Sequence, residues 1–147
     1  MEDQIRFLYY TDIFNFANNE DLAIVFPAND PAADTDADGN FNFQEIEGED
    51  IFLRPRIVSF APYYLGRITG AATYKWHVQV SIYTKNNLGE LDAARVFDKL
   101  RTVFRFGDKK SDGSRIYTQM SNMRAESPVA MANFIALPTM FDVQSIS

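Results

Sequence analysis

From Thr73 onward the chain alternates residue by residue. Tyr74, Trp76, Val78, Val80 and Ile82 fall on one side, and Lys75, His77, Gln79, Ser81 and Tyr83 on the other. Period-two alternation of aromatic and β-branched residues marks a strand with one face on a core. Past Asn86, Asn87 and Gly89, which signal a turn, the period lengthens. Ala93, Val96, Phe97, Leu100, Val103 and Phe104 recur every three or four residues, the spacing of an amphipathic helix. Glu90 and Asp92 open that helix and Arg101 and Arg105 close it, which suits its dipole, and Gly107 supplies the expected C′ stop.

The same pattern extends in both directions. Residues 4–17 predict a first helix capped by Asp3, with Ile5, Leu8, Tyr9, Ile13 and Phe16 on its apolar face. Phe7, Tyr10 and Phe14 form a second stripe, which fits either packing on both sides or contact with a neighbouring subunit. Asn18–Asp21 reads as a turn and Leu22–Phe26 as a short strand that Pro27 ends. Residues 51–60 resume strand character, with Pro55 requiring an edge or a bulge because proline has no N–H for a ladder. Residues 63–70 and 108–114 read as turns, 115–120 as a strand and 125–129 as a short extended segment. The last strand spans 133–146, where Pro138 again implies an edge or a bulge. Consecutive strands with two helices predict one α+β domain over 1–147: a mostly antiparallel mixed sheet with both helices packed on one face.

The totals narrow the class. A chain of 147 residues, 46% hydrophobic, suffices for one domain with a core. It has no apolar run long enough to span a bilayer and no charged-then-apolar leader, so a cytosolic site of assembly and no membrane partner are expected. The absence of cysteine excludes disulfides, thiolate metal sites and a cysteine nucleophile. Charge is uneven. Residues 1–50 hold thirteen acidic side chains and one basic, Arg6, whereas residues 51–147 hold seven acidic and thirteen basic. Such asymmetry fits a solvated acidic loop, or a head-to-tail contact in which the acidic part of one copy meets the basic part of the next.

Most of the acid lies in a long loop over 27–50. Within it Asp34, Asp36 and Asp38 stand at positions one, three and five of a calcium loop. Gly39 is at six, Asn40 would offer its carbonyl, Asn42 could hold a bridging water, and Glu45 stands at twelve. Ca²⁺ prefers about six to eight oxygens, and this spacing wraps them around one point. Pro27 and Pro31 before the loop, and Gly48 with the strand at Ile51 after it, leave no room for the flanking helices of an EF-hand. A lone calcium-ordered loop and a merely solvated acidic loop both remain open.

Other chemistry is sparse. His77, the single histidine, lies mid-strand with no carboxylate at a spacing that would orient it, so neither a base nor a ligand role is expected. Ser59, Ser81 and Ser127 lack a nucleophile elbow, and no glycine-rich phosphate loop occurs. Lys109, Lys110, Arg115 and Arg124 read as a solvated turn. No catalytic residue is expected.

The arrangement resembles the tail-terminator proteins of long-tailed bacteriophages, the lambda-type minor tail protein U-like family. The features that carry the likeness run from the N-terminal helix and short strand through FLRPRIVSF (52–60) to Gly70, shortly before YKWHVQVSIYT (74–84). Gly89, the helix with Ala93, Leu100 and Phe104, the Ser127-Pro128 pair and a closing strand complete it; the acidic loop departs from the pattern. The resemblance implies a structural virion protein and not an enzyme. It would form a ring, commonly a homohexamer, that caps the tail tube, stops its polymerisation and offers a docking surface to the head–tail connector. DNA would pass through the lumen unread. The alternatives are a neck or head-completion protein of similar build, or a calcium-dependent binding module using 34–45.

Overall fold

The computed structural model describes residues 2–24, 51–60, 63–64, 72–85, 90–130 and 134–146. Along them run α1 (Glu2–Asn19), β1 (Ala23–Ile24), β2 (Ile51–Ser59), β3 (Tyr63–Tyr64), β4 (Ala72–Lys85), α2 (Glu90–Val103), β5 (Lys109–Ser111), β6 (Ile116–Gln119), β7 (Arg124–Ala125), β8 (Val129–Ala130) and β9 (Phe134–Ile146). The strands form one sheet in the order β1-β2-β4-β9-β6-β5, with β3 added to β4 and β7 and β8 added to β9. Among the described residues β1–β2 is the one parallel pair and every other pairing is antiparallel. The fold is α+β.

Register decides which side chains share a face. Ile57 lies opposite Val78 and Leu53 opposite Ile82, while Val78 and Trp76 lie opposite Phe141 and Val143. These residues, with Val80, are buried in one cluster with Ile5, Tyr9, Ile13 and Phe16 of α1 and Ala93, Val96 and Leu100 of α2. Both helices therefore lie on this inner face. Phe141 sits at the centre, its ring 5.7 Å from Tyr9 and 5.1 Å from Phe104. The expected alternation in β4 holds on this side. The opposite, outer face is not uniformly polar: Phe52 stacks on Tyr83 at 4.7 Å and meets Phe134 edge-on at 5.3 Å, forming a small second cluster.

Both strand prolines are explained by the direction of their nitrogens. Pro138 lies inside β9, which is flanked on both sides, and it pairs in register with Ser81 without a bulge. Its carbonyl accepts from the Glu126 amide at 2.9 Å, on the side away from β4. Its ring nitrogen points the same way, into the break between β7 and β8, where no ladder bond is required. The expectation of an edge or a bulge at Pro138 is corrected accordingly. Pro55 faces Val80, whose own backbone groups turn toward β9, so its nitrogen points to the outer side of β2. Among the described residues that side is paired only at Phe52 and Leu53 by β1, so the edge expectation holds there.

Helix ends differ from the sequence reading in instructive ways. α1 begins at Glu2, which places Asp3 within the first turn and not at the cap. It ends in a Schellman motif: the Leu22 amide donates to Ala17 O at 2.8 Å and the Asp21 amide to Asn18 O at 3.3 Å, with Asp21 left-handed at φ 56°. Leu22 packs back on the core, the apolar contact that accompanies this motif. α2 ends at Val103, too early for Gly107 to be its C′ residue. Gly107, at φ 86°, instead takes the third position of a turn closed by Asp108 N–H to Arg105 O at 3.1 Å. Val103 is exposed and does not join the buried face.

The 108–114 stretch is a hairpin, not a turn. Lys109–Ser111 pairs with Ile116–Thr118, and Asp112 organises the connection. Its carboxylate accepts from the Ser114 amide at 2.8 Å, the Arg115 amide at 2.7 Å and the Tyr117 hydroxyl at 2.9 Å. The turn predicted over 63–70 is corrected at its start, where Tyr63 and Tyr64 form β3 against Thr73 and Ala72 of β4; its remainder, 65–70, and the turn at Asn86, Asn87 and Gly89 lie outside the described residues.

Two predictions follow from these contacts. Asp21→Gly removes the left-handed strain and an acid from a helix C-terminus, and is expected to raise stability in urea unfolding by about 0.5–1 kcal/mol. Asp21→Ala should lower it, and equal behaviour of the two variants would rule out backbone strain as the cause. At Asp112 the Arg115 and Ser114 amides, with help from Tyr117, hold the carboxyl below its ordinary value. The stability it contributes is complete above the unfolded value of about 3.9 and is lost as pH falls through the depressed folded value. Asp112→Asn should therefore flatten the acid limb of the melting temperature between about pH 5 and pH 2. An unchanged acid limb would exclude this contribution.

Candidate functional site

The polar constellation with the most chemistry lies on the outer face of the sheet, built by register alone. His77 leaves β4 opposite Trp76, and the ladder sets it directly across from Asp142 of β9. His77 Nδ1 and Asp142 Oδ1 are 2.9 Å apart. Arg124 from β7 approaches the other carboxylate oxygen, with Nη1 at 3.5 Å, and reaches Ser121 Oγ at 3.4 Å. Ser121 Oγ also accepts the Asp142 amide at 3.0 Å. Phe60, placed beside His77 by the Phe60 N–H to Lys75 O bond, meets the imidazole edge-on at 6.3 Å.

This corrects the expectation that no carboxylate orients His77. Asp142 does so from 65 residues away in sequence, a partner visible only once β4 and β9 are paired. A carboxylate on Nδ1 is the orienting half of a histidine base. The nucleophilic half is not assembled. Ser121 Oγ is engaged by the Asp142 amide and by Arg124, and its hydrogen bonds do not include His77. His77 is partly shielded and Asp142 about half exposed, with side-chain exposures of 20% and 44%, whereas Phe52, Ser81, Tyr83, Phe134, Ala136 and Met140 of the same outer face are buried.

An open groove of about 400 Å³ lies on the other side of the molecule, between α1 and α2. Asp12, Asn15, Phe16 and Asn19 line one wall and Thr102 and Val103 the other, and an ion pair from Lys99 Nζ to Glu20 Oε2 at 2.6 Å bridges them. Nearby, Lys110 pairs with Asp12 and stands 5.4 Å from the centre of the Tyr9 ring. Burial, with smaller contributions from Asp12 and Asp108, pushes the Tyr9 hydroxyl well above its ordinary value. Tyr117, desolvated and donating to Asp112, is pushed up to about 12. Both phenols are therefore neutral structural groups at physiological pH.

No family model matches the chain, and no curated protein matches it by sequence. Its fold is shared with solved proteins. Two solved chains match. For one, which carries only a serial designation, the TM-score is 0.71 at 13% identity, over 100% of this chain and 96% of that one. At that identity the likeness shows the fold alone.

The basic residues expected to form a solvated turn divide between two faces. Lys110 and Arg115 turn inward, Arg115 lying 4.9 Å from the Tyr74 ring centre, while Lys109 and Arg124 lie on the outer face. The candidate calcium ligands Asp34, Asp36, Asp38, Asn40, Asn42 and Glu45, and the whole 27–50 loop, lie outside the described residues. Among the described residues, no three His, Asp or Glu side chains converge as a metal group would require. The calcium expectation is checked by melting: millimolar Ca²⁺ should raise the melting temperature, and Asp34→Ala with Asp38→Ala should abolish the rise. Occupancy at 100-fold above Kd corresponds to about 2.7 kcal/mol of stabilisation. No rise in the parent protein would remove the calcium-binding reading.

Proposed function

We propose that this chain is a structural ring protein that caps a bacteriophage tail tube, halts its polymerisation and offers a surface to the head–tail connector. The observation that carries the reading is the order of elements. A helix, a short strand and a long connection lead into β2. The central β4, α2, a hairpin, the Ser127-Pro128 pair between β7 and β8, and a closing central strand follow. That is the sequence of elements on which the resemblance rests, and the paired sheet keeps it in one domain.

Two further features support a role in assembly. Phe7 and Phe14, seven residues apart on one side of α1, are 71% and 43% exposed, while Tyr10 between them is half-buried and bonded to the Ile57 backbone. An exposed aromatic side chain such as Phe7 on a helix face is the kind of surface that oligomers cover. The polar chemistry of His77, Asp142 and Arg124 lies on the outer side of the sheet, with Asp142 and Arg124 each about half exposed. In this reading the chain's partners are further copies of itself, the tube protein and the connector, and DNA crosses the lumen without being read.

The test is polymerisation. Purified chain added to assembling tail-tube protein should shorten the tubes in proportion to its concentration, and negative-stain images should show a ring at one tube end only. Tubes of unchanged length with bare ends would overturn the proposal.

A further inference from the structure

We infer that the groove between α1 and α2 is a binding site for a short extended segment of a partner protein, held by its main chain on the carboxamides of Asn15 and Asn19. This contact does not depend on the ring reading above.

Helical spacing builds one wall. Asp12, Asn15, Phe16, Asn19 and Glu20 recur at three and four residues, so they share one side of α1 and face Lys99, Thr102 and Val103 of α2. The two acids of the groove are already matched, Glu20 by Lys99 and Asp12 by Lys110, so their charges are balanced. Such a groove favours neither a phosphate nor a metal cation. Phe16 is buried and Val103 is 43% exposed, which gives the groove an apolar strip. Asn15 and Asn19 are exposed, and among the described residues no hydrogen bond engages either carboxamide.

Those two carboxamides are complementary to peptide units. Each offers two N–H donors and a carbonyl acceptor, against the one N–H and one C=O of a main-chain residue. Their separation narrows the ligand further. Four residues of helix rise about 6 Å, and two residues of extended chain advance about 6.6 Å. An extended segment lying along α1 therefore brings alternate main-chain units to Asn15 and Asn19 in turn. Its side chains alternate between two faces, and those of one face meet Val103 and Phe16. From Asp12 to Glu20 the wall is about 12 Å long, enough for three or four extended residues. A nucleobase would engage one carboxamide and leave the other, and none of the groove's lining residues offers it an exposed aromatic ring to stack on.

The probe is the peptide acetyl-Thr-Val-Thr-Val-Thr-amide, added to the full chain at up to about 10 mM and followed by NMR. The side-chain amide signals of Asn15 and Asn19 and the methyl signals of Val103 should shift along one saturating curve. The same peptide methylated at each backbone nitrogen keeps every side chain and loses its main-chain donors. It should bind at least about tenfold more weakly. Asn15→Ala with Asn19→Ala should weaken the unmethylated peptide at least about tenfold, and each single substitution should give part of that loss. Asn18→Ala, exposed and outside the groove, should leave binding unchanged. Alanine favours a helix over asparagine, so lost binding is not lost folding, and melting of each variant checks this.

A parent whose signals do not move at the highest peptide concentration overturns the inference. Undiminished binding by the double variant, or of the methylated peptide, does the same. Adenosine is titrated alongside and should leave these signals in place. If adenosine moves them and the peptide does not, the groove belongs to a nucleobase and the main-chain reading falls.

Discussion

The β4–β9 ladder is the constraint on which the rest of the molecule depends. It runs in unbroken antiparallel register from Thr73 opposite Ile146 to Lys85 opposite Phe134. Because side chains alternate with a period of two, a slip of one residue would carry Val78 and Val80 outward and bring His77 and Gln79 onto the helices. The inner face prevents this. Trp76, Val78, Phe141 and Val143 are almost wholly buried, and truncating a residue such as Phe141 would cost about 3–5 kcal/mol. The helices need the same register, since Tyr9 of α1 and Phe104, just past the end of α2, both meet the Phe141 ring. The outer face inherits its geometry: the His77–Asp142 pair exists because core packing fixes the ladder that sets the two residues opposite one another.

What could be read in the sequence follows from this dependence. Period and propensity are local, so the long strand, both helices and the last strand were legible, and with them the α+β class. Errors arose where a residue's role is set by a distant partner. Pro138 reads as an edge or bulge residue because nothing nearby tells which way its nitrogen points, and β7 and β8 resolve that by leaving a break beside it. Gly107 has the left-handed conformation expected of it, but in the Arg105–Asp108 turn and not at the helix end. Lys109–Ser111 has no apolar alternation, and it becomes a strand because Asp112 closes the turn and β6 pairs with it. The candidate site was the least legible part. His77 was visible as a lone histidine, whereas Asp142, Arg124 and Ser121 become its surroundings only through pairing across β9.

The buried polar groups that lack partners mark where the ladder's influence fades. Thr73 and Thr84 lie near the two ends of β4 and Ser145 near the end of β9, each with a hydroxyl that is buried and unpaired. Thr139, in the middle, instead donates to Val80 O at 2.5 Å. An unsatisfied buried hydroxyl costs on the order of 1–3 kcal/mol. Tyr9 is the fourth such group, and its position is different: the Lys110 ammonium lies over its ring and Asp12 anchors that lysine. A phenylalanine at this position would keep the cation contact and remove the orphaned hydroxyl. On packing grounds alone, the tyrosine is the less favourable choice.

The two sides of the sheet divide the molecule's work. The inner side is closed by α1 and α2, and its groups are committed to stability. The outer side keeps its cations, its His77–Asp142–Arg124 cluster and its exposed Phe60 and Ile116 at a surface where distance and charge are set by the rigid strands behind them. Groups held by paired strands keep their spacing, so a partner that meets them does so along many small contacts, each worth little by itself in water. Phe52, Ser81, Tyr83, Phe134, Ala136 and Met140, on the same outer side, are buried. What that side presents to solvent is therefore narrower than the sheet itself: Phe60, Lys109, Ile116 and Arg124 are exposed there, and it is through such groups that the ladder's register can reach a neighbour.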